Sequence, residues 1–296
     1  MDWKSRRIEA ILEQALVEDK ATSDVTTAVT IEPSLRASAT IIAKENCVVS
    51  GIGCIPRFLE IFARLDKHSS GRYEVVSHPE IFEGVRVKKG QAIAVIRHNA
   101  RVILACERVT LNLMQRMSGI STMTRQYVDA IAGTGARVLD TRKTIPGLRI
   151  LDKYAVRCGG GENHRLDLSD GILIKNNHIS LGGGIETVLK RAHELRKPGQ
   201  TIDIEVRTFD ELETALDNGA ESLLLDNMTP AEVKKAVGAV RGRGLTIPIE
   251  ASGGIVLDNI RKYALAGVDY ISVGALTKHV HAVDLSMRLE FGAAPG

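Results

Sequence analysis

The chain has few of the features that mark special classes of protein. Its four cysteines (Cys47, Cys54, Cys106, Cys158) form no C-x-x-C pair, which leaves reduced thiols in a cytoplasmic protein as the expectation. No apolar run approaches the roughly 18 residues that cross a bilayer, so no membrane span is expected. Charge of one sign is scarce: 39 Lys and Arg stand against 36 Asp and Glu, a net +3. That excess is too small for a nucleic-acid coat or a basic membrane-surface protein. The stretch Met1 to Asp24 carries Glu9, Glu13, Glu18 and Asp19. It therefore lacks both the unbroken apolar middle of a secretory signal and the acid-poor character of an organellar presequence. What is present is ordinary for a soluble globular enzyme: 296 residues, 44% hydrophobic and 25% charged. This is length for about two domains, or for one large α/β barrel with an appendage.

The chain changes character near Gly133-Thr134-Gly135. Before that point, Ile8, Ile11, Leu12, Ala15 and Leu16 share one helical face over residues 4–18. Ala37, Ala39, Ile41 and Ala43 alternate with polar neighbours as a half-buried strand would. Tyr73 to Ser77 and Ala92 to Ile96 read as further strands, the second preceded by a turn between Gly84 and Gly90. A longer helix is expected over 101–118, with Val102, Cys106, Val109, Leu113 and Met117 in one stripe. Arg108 falls roughly 140° from that stripe at 100° per residue and points away from the core its helix builds. Residues 1–133 thus read as an N-terminal α+β domain.

From 134 to 279 short apolar runs alternate with helical patterns. The runs are Arg137–Asp140, Ile172–Lys175, Ile202–Val206, Leu223–Asp226, Ile247–Ala251 and Tyr270–Gly274. Six sequential βα units with nearly continuous apolar strands predict a parallel sheet buried on both faces. A closed barrel is favoured over an open doubly wound sheet: no G-x-G-x-x-G follows the first strand, and polar groups gather at the ends of many strands.

Barrel sites lie at the carboxyl ends of strands. Here those ends carry Arg142 and Lys143, Lys175, Glu205, Asp226, Glu250 with Ser252-Gly253-Gly254, and Gly274-Ala275. Arg142, Lys143, Lys175 and the nearby His164-Arg165 suit a substrate with more than one carboxylate or phosphate. Glu205 and Asp226 are hard oxygen donors suited to Mg²⁺ carried in with a pyrophosphate. Ser252-Gly253-Gly254 and Gly274-Ala275 follow the last two strands, the usual place for a phosphate held by backbone N–H groups. Gly159-Gly160-Gly161 runs directly into Glu162-Asn163-His164-Arg165 and reads as a binding loop.

The block from Leu139 to Ile179 (LDTRKTIPGLRI, then KYAVRCGGGENHR from Lys153, then LSDGILIKNNHI from Leu168) resembles the quinolinate phosphoribosyltransferases. Shorter segments at Ser23–Thr27, Cys106–Asn112, Ile204–Val206, Leu225–Asn227, Ala251–Ile255 and Ser272–Thr277 extend the resemblance in order over nearly the whole chain. It implies an incomplete α/β barrel joined to an α/β sandwich domain, with the C-terminal segment 280–296 rejoining the sandwich. It also implies conversion of quinolinate and 5-phosphoribosyl 1-pyrophosphate, with Mg²⁺, to nicotinate mononucleotide, pyrophosphate and CO₂ in NAD biosynthesis. By the same resemblance, Arg142, His164, Arg165 and Lys175 hold the two quinolinate carboxylates. Arg108 joins them from the other subunit of a homodimer, or of a higher oligomer built on it. Lys143, Glu205 and Asp226 meet pyrophosphate, metal and ribose as the catalytic set. Ser252, Gly253, Gly254, Gly274, Ala275 and Lys278 cradle phosphate.

The sequence departs from the family pattern at Ser23, where glycine is expected, and at Asn176, where an acid is expected. Lys278 precedes His279 where the family commonly has histidine after the threonine. Two rival readings remain: a relative acting on another nitrogen heterocycle, and a non-catalytic metabolite-binding barrel. The dicarboxylate set argues against the first and the metal-facing acids against the second. Between Arg137 and Lys175 eight Lys or Arg face five acids, so the net excess coincides with the segment expected to grip a dicarboxylate.

Overall fold

The computed structural model describes residues 1–66 and 71–291. The chain divides into two compact units, one drawn from Met1–Met123, Ile145–Gly160 and His279–Gly296, the other from Thr124–Thr144 and Gly161–Lys278.

In the first unit the helical stripe near the start forms α1 (Arg6–Glu18), burying Ile8, Leu12 and Leu16. The Ser23–Thr27 segment starts α2 (Val25–Thr30), where the Asp24 carboxylate accepts the Thr27 N–H at 3.0 Å. Alternation at Ala39, Ile41 and Ala43 becomes β1 (Arg36–Ala43), whose buried positions are those three residues. Then follow β2 (Cys47–Val48), α3 (Cys54–Leu65), β3 (Glu74–Val76), β4 (Arg86–Val87) and β5 (Ala92–Asn99). A buried arginine on α3, Arg57, pairs with Glu9 of α1 and with Glu60.

The helix expected over 101–118 runs on as α4 (Ala100–Ala130). Gly119 lies inside it; a Cβ there would lie 2.2 Å from the His281 carbonyl oxygen, so the glycine admits a close backbone approach. After β6 (Arg137–Leu139) comes α5 (Arg149–Cys158), a helix not among the sequence expectations. Its charged residues obscure the period, yet Leu151, Tyr154, Ala155 and Val156 are buried. Asp152 of α5, 1% exposed, forms a two-point pair with Arg116 of α4 at 2.9 and 2.8 Å. The Ser121 hydroxyl donates to the Ala155 carbonyl at 2.7 Å. These contacts hold 145–160 in the first unit, whereas the sequence boundary at 134 assigns it to the barrel.

The second unit continues with β7 (Ile172–Ile174), α6 (Asn176–Leu181), α7 (Ile185–Leu195), β8 (Ile202–Val206), α8 (Phe209–Asp217) and β9 (Ser222–Asp226). It is completed by α9 (Pro230–Gly242), β10 (Ile249–Ser252), α10 (Leu257–Ala264), β11 (Tyr270–Ser272) and α11 (Ala275–Lys278). The last strand of the chain, β12 (Leu285–Phe291), belongs to the first unit. There it pairs antiparallel with β1, completing the sheet order β12-β1-β5-β3.

The six expected apolar runs are all strands of one parallel sheet, ordered β6-β11-β10-β9-β8-β7. The fifth begins two residues later than predicted, at Ile249, since Pro248 has no N–H to give a ladder. The closed barrel favoured from strand-end polarity is corrected to an incomplete one, as the family resemblance implies. Among the described residues no ladder joins β6 to β7. Glu162 lies beside β6 instead, its N–H donating to Val138 and its carbonyl accepting from Asp140.

Candidate functional site

A parallel sheet delivers every strand's carboxyl end to one edge. In the second unit that edge surrounds a cavity of about 360 Å³, lined by polar residues from all six strand ends. Of the site residues expected from sequence, Arg142, Lys143, His164, Arg165, Lys175, Glu205, Asp226 and Ser252 line it together. Gly253, Gly254, Gly274, Ala275 and Lys278 are not among its lining residues. Arg108 belongs to the first unit, where it is exposed on α4 and lines a cavity of about 790 Å³ with Ile145–Leu148.

The cationic wall is built by the turn after β6 and by the loop after α5. Asp140, fully buried, accepts the His164 N–H at 2.9 Å and the Asn163 amide at 2.6 Å. One strand-end acid thereby fixes the loop that the glycine run introduces. Arg142 and Arg165 stand near enough that Arg142 adds to burial in lowering the Arg165 guanidinium's affinity for its proton. The Arg142 Nε is buried with no hydrogen-bond partner. Two guanidiniums lining one cavity, one with an orphaned donor, are costly without an anion to share. Lys175 is exposed at the end of β7, and its N–H donates to His178 Nδ1 at 2.9 Å. Lys143 is exposed too; its carbonyl accepts the hydroxyl of buried Thr277 at 2.9 Å.

The acidic wall holds an element the sequence reading passed over. Arg207 spans the two expected acids, with Nη2 2.9 Å from Glu205 Oε1 and Nε 3.2 Å from Asp226 Oδ2. Its position two residues past Glu205 was visible, but its bridging depends on the β8–β9 register. Among the described residues no cluster of three His, Cys, Asp or Glu is placed to hold a metal ion. Two hard carboxylates nevertheless fit a Mg²⁺ whose other ligands are phosphate oxygens and water.

Glu250 is the second residue without an expected role. It lines the cavity from β10 and is 9% exposed. Burial pushes its carboxyl up to about 7, with Asp203 adding and the Ser272 hydroxyl opposing. Its Oε2 lies 3.5 Å from His164 Nε2, while Oε1 has no hydrogen-bond partner.

The Ser252–Gly254 turn is locked to the end of β9. Asn227, at φ 58°, donates its N–H to the Ser252 carbonyl at 2.9 Å. Gly253 takes φ +89°, and a Cβ there would sit 2.8 Å from the Asn227 backbone nitrogen. Only glycine fits this turn.

An incomplete parallel barrel whose strand ends set paired guanidiniums against paired acids defines a class: an α/β enzyme handling a small polyanion. Sequence comparison gives the family. The quinolinate phosphoribosyl transferase N-terminal domain matches residues 24–118 and the C-terminal domain residues 120–288, and the chain belongs to this family. It is 38% identical to the carboxylating nicotinate-nucleotide pyrophosphorylase of Mycobacterium leprae, over 94% of this chain and 95% of that protein. It is 40% identical to the chloroplastic enzyme of that name from Oryza sativa subsp. japonica, over 96% and 78%. The crystal structure of NadC from Streptococcus pyogenes superposes with a TM-score of 0.89 at 33% identity, covering 99% of this chain and 100% of that one. Among the described residues no helix is long and apolar enough to cross a membrane.

Proposed function

We propose that this chain transfers the phosphoribosyl group of 5-phosphoribosyl 1-pyrophosphate to quinolinate with loss of CO₂, forming nicotinate mononucleotide and pyrophosphate for NAD biosynthesis. The observation that carries the reading to a dicarboxylate is the Arg142–Arg165 pair with its orphaned Nε. Arg142, His164, Arg165 and Lys175 hold the two carboxylates and present the ring nitrogen to the ribose. Lys143 neutralises the leaving pyrophosphate. Glu205 and Asp226 stabilise the electron-poor ribosyl carbon as its bond to pyrophosphate lengthens. Glu205 and Asp226 would hold Mg²⁺ brought in with the substrate, and the ion would supply further neutralisation of pyrophosphate charge. Ser252, Gly253, Gly254, Gly274, Ala275 and Lys278 offer backbone N–H groups and a cation to the 5-phosphate. Once ribosylated, the ring nitrogen is cationic, and the adjacent C2 carboxylate leaves as CO₂.

We further read the enzyme as a cytoplasmic homodimer, or a higher oligomer built from it, in which Arg108 reaches the partner's cavity. Its exposure on α4, off the buried stripe, supports this, and the four free thiols suit a reducing compartment. Purified protein given quinolinate carboxyl-labelled at C2, the pyrophosphorylated ribose and Mg²⁺ releases labelled CO₂. No release, or equal turnover of nicotinate, would overturn the reading.

A further inference from the structure

Loss of CO₂ leaves an electron pair at C2 of the pyridine ring, and a proton must replace the carboxylate there. The inference below rests on the proposed reaction and supplies that proton. Two of the three acids lining the cavity, Glu205 and Asp226, are paired with Arg207. Among the described residues Glu250 has no arginine or lysine ion-pair partner. His164 of the loop lies 3.5 Å from it and Asp203 of β8 acts on it through its charge; Tyr270 of β11 is its register neighbour, and Arg142, Arg165, Glu205 and Asp226 line the same cavity.

His164 determines which oxygen carries the acid proton. Its Nδ1 accepts the Arg165 N–H at 2.7 Å, so the neutral ring carries its proton on Nε2. That N–H faces Glu250 Oε2 at 3.5 Å, and the Ser272 hydroxyl donates to the same carboxyl; with Oε1 unpartnered, Oε2 is the accepting oxygen. The carboxyl proton then belongs on Oε1, the oxygen with no partner. With Nδ1 accepting the Arg165 N–H, the histidine offers no basic nitrogen to the acid and does not relay its proton.

We propose that Glu250 is the general acid that protonates C2 after decarboxylation. The bond from C2 to its carboxylate breaks, CO₂ departs, and the electron pair stays at C2 beside the cationic ring nitrogen. The Oε1–H bond of Glu250 then breaks and a C2–H bond forms. Glu250 is left as a carboxylate and regains a proton from water once product leaves. Its raised titration range keeps the acid partly protonated at neutral pH, as a general acid requires.

Glu250→Gln keeps the shape and removes the transferable proton. The expected result is a fall in kcat on the order of 100-fold, with KM for both substrates changed less than about threefold. The wild-type kcat falls as pH rises through the neutral range, and this limb is absent in E250Q. In D₂O the wild-type enzyme exchanges the C2 proton of nicotinate mononucleotide, and E250Q does not. Wild-type kcat or exchange in E250Q overturns the proposal, as does a loss confined to KM. Should E250Q fail to fold, wild-type exchange alone decides, and its absence overturns the assignment. Failure of the wild type to release CO₂ instead overturns the proposed reaction, so the two failures are distinct.

Discussion

Glu250 couples the site to stability through pH. Its carboxyl is pushed up to about 7 by burial, against about 4.3 in an unfolded chain. Below pH 4 both states carry the proton and its burial is tolerated. As pH rises from there through 7, the unfolded chain releases the proton first, so folding stability falls across that window. E250Q has no such loss. Relative to wild type it should gain on the order of 1–3 kcal/mol between pH 4 and pH 8. Urea titrations at both pH values check this, and an unchanged difference would show that the glutamate is not held neutral. At this scale the sequence was informative about cations: Arg142, Lys143 and Lys175 follow apolar runs directly, and His164-Arg165 follows three glycines. It gave Glu250 and Arg207 no role. A strand-end acid looks alike whether it is ionised beside an arginine or neutral beside a histidine, and only strand register tells them apart.

Among elements, α5 depends on one ion pair and the Ser252–Gly254 turn on one glycine. Asp152 is buried against Arg116 with two short hydrogen bonds. Asp152→Asn leaves a guanidinium, 18% exposed, without its counter-charge. The expected loss is about 3–5 kcal/mol, read from denaturant unfolding. Gly253→Ala drives a Cβ toward the Asn227 backbone at an unfavourable φ, whereas Gly274→Ala meets the Lys143 side chain at 3.0 Å. The first should raise KM for the pyrophosphorylated ribose by tenfold or more; the second should do so less, because a lysine side chain can move. Equal effects would mean that the turn is not rigid. The parallel strands were legible because burial on both faces gives continuous apolar runs, while α5 was hidden by Arg149, Asp152, Lys153 and Arg157 on a ten-residue helix.

At the scale of the whole molecule, the assembly prediction concerns Arg108. If it serves a partner's cavity, Arg108→Ala and Lys143→Ala proteins, each inactive alone, recover up to about a quarter of wild-type activity when mixed and allowed to exchange, by random pairing. No recovery after confirmed subunit exchange would place both residues in one protomer's site. The two-unit division was only partly visible in the sequence, since Gly133-Thr134-Gly135 marks a change of rhythm but not the later passage of 145–160 between units. The β1–β12 pairing bears on biosynthesis. Ala37 aligns with Phe291 and Ala43 with Leu285 across one ladder. Among the described residues β12 alone pairs with that edge of β1, so translation delivers the sheet's opening strand long before this partner. The parallel sheet, complete by Ser272, can emerge and pair first, and a protein whose first unit begins the chain closes that unit last. Until β12 is made, β1 is an exposed edge strand, and the interval when a chaperone matters most is set by the distance between residues 43 and 285.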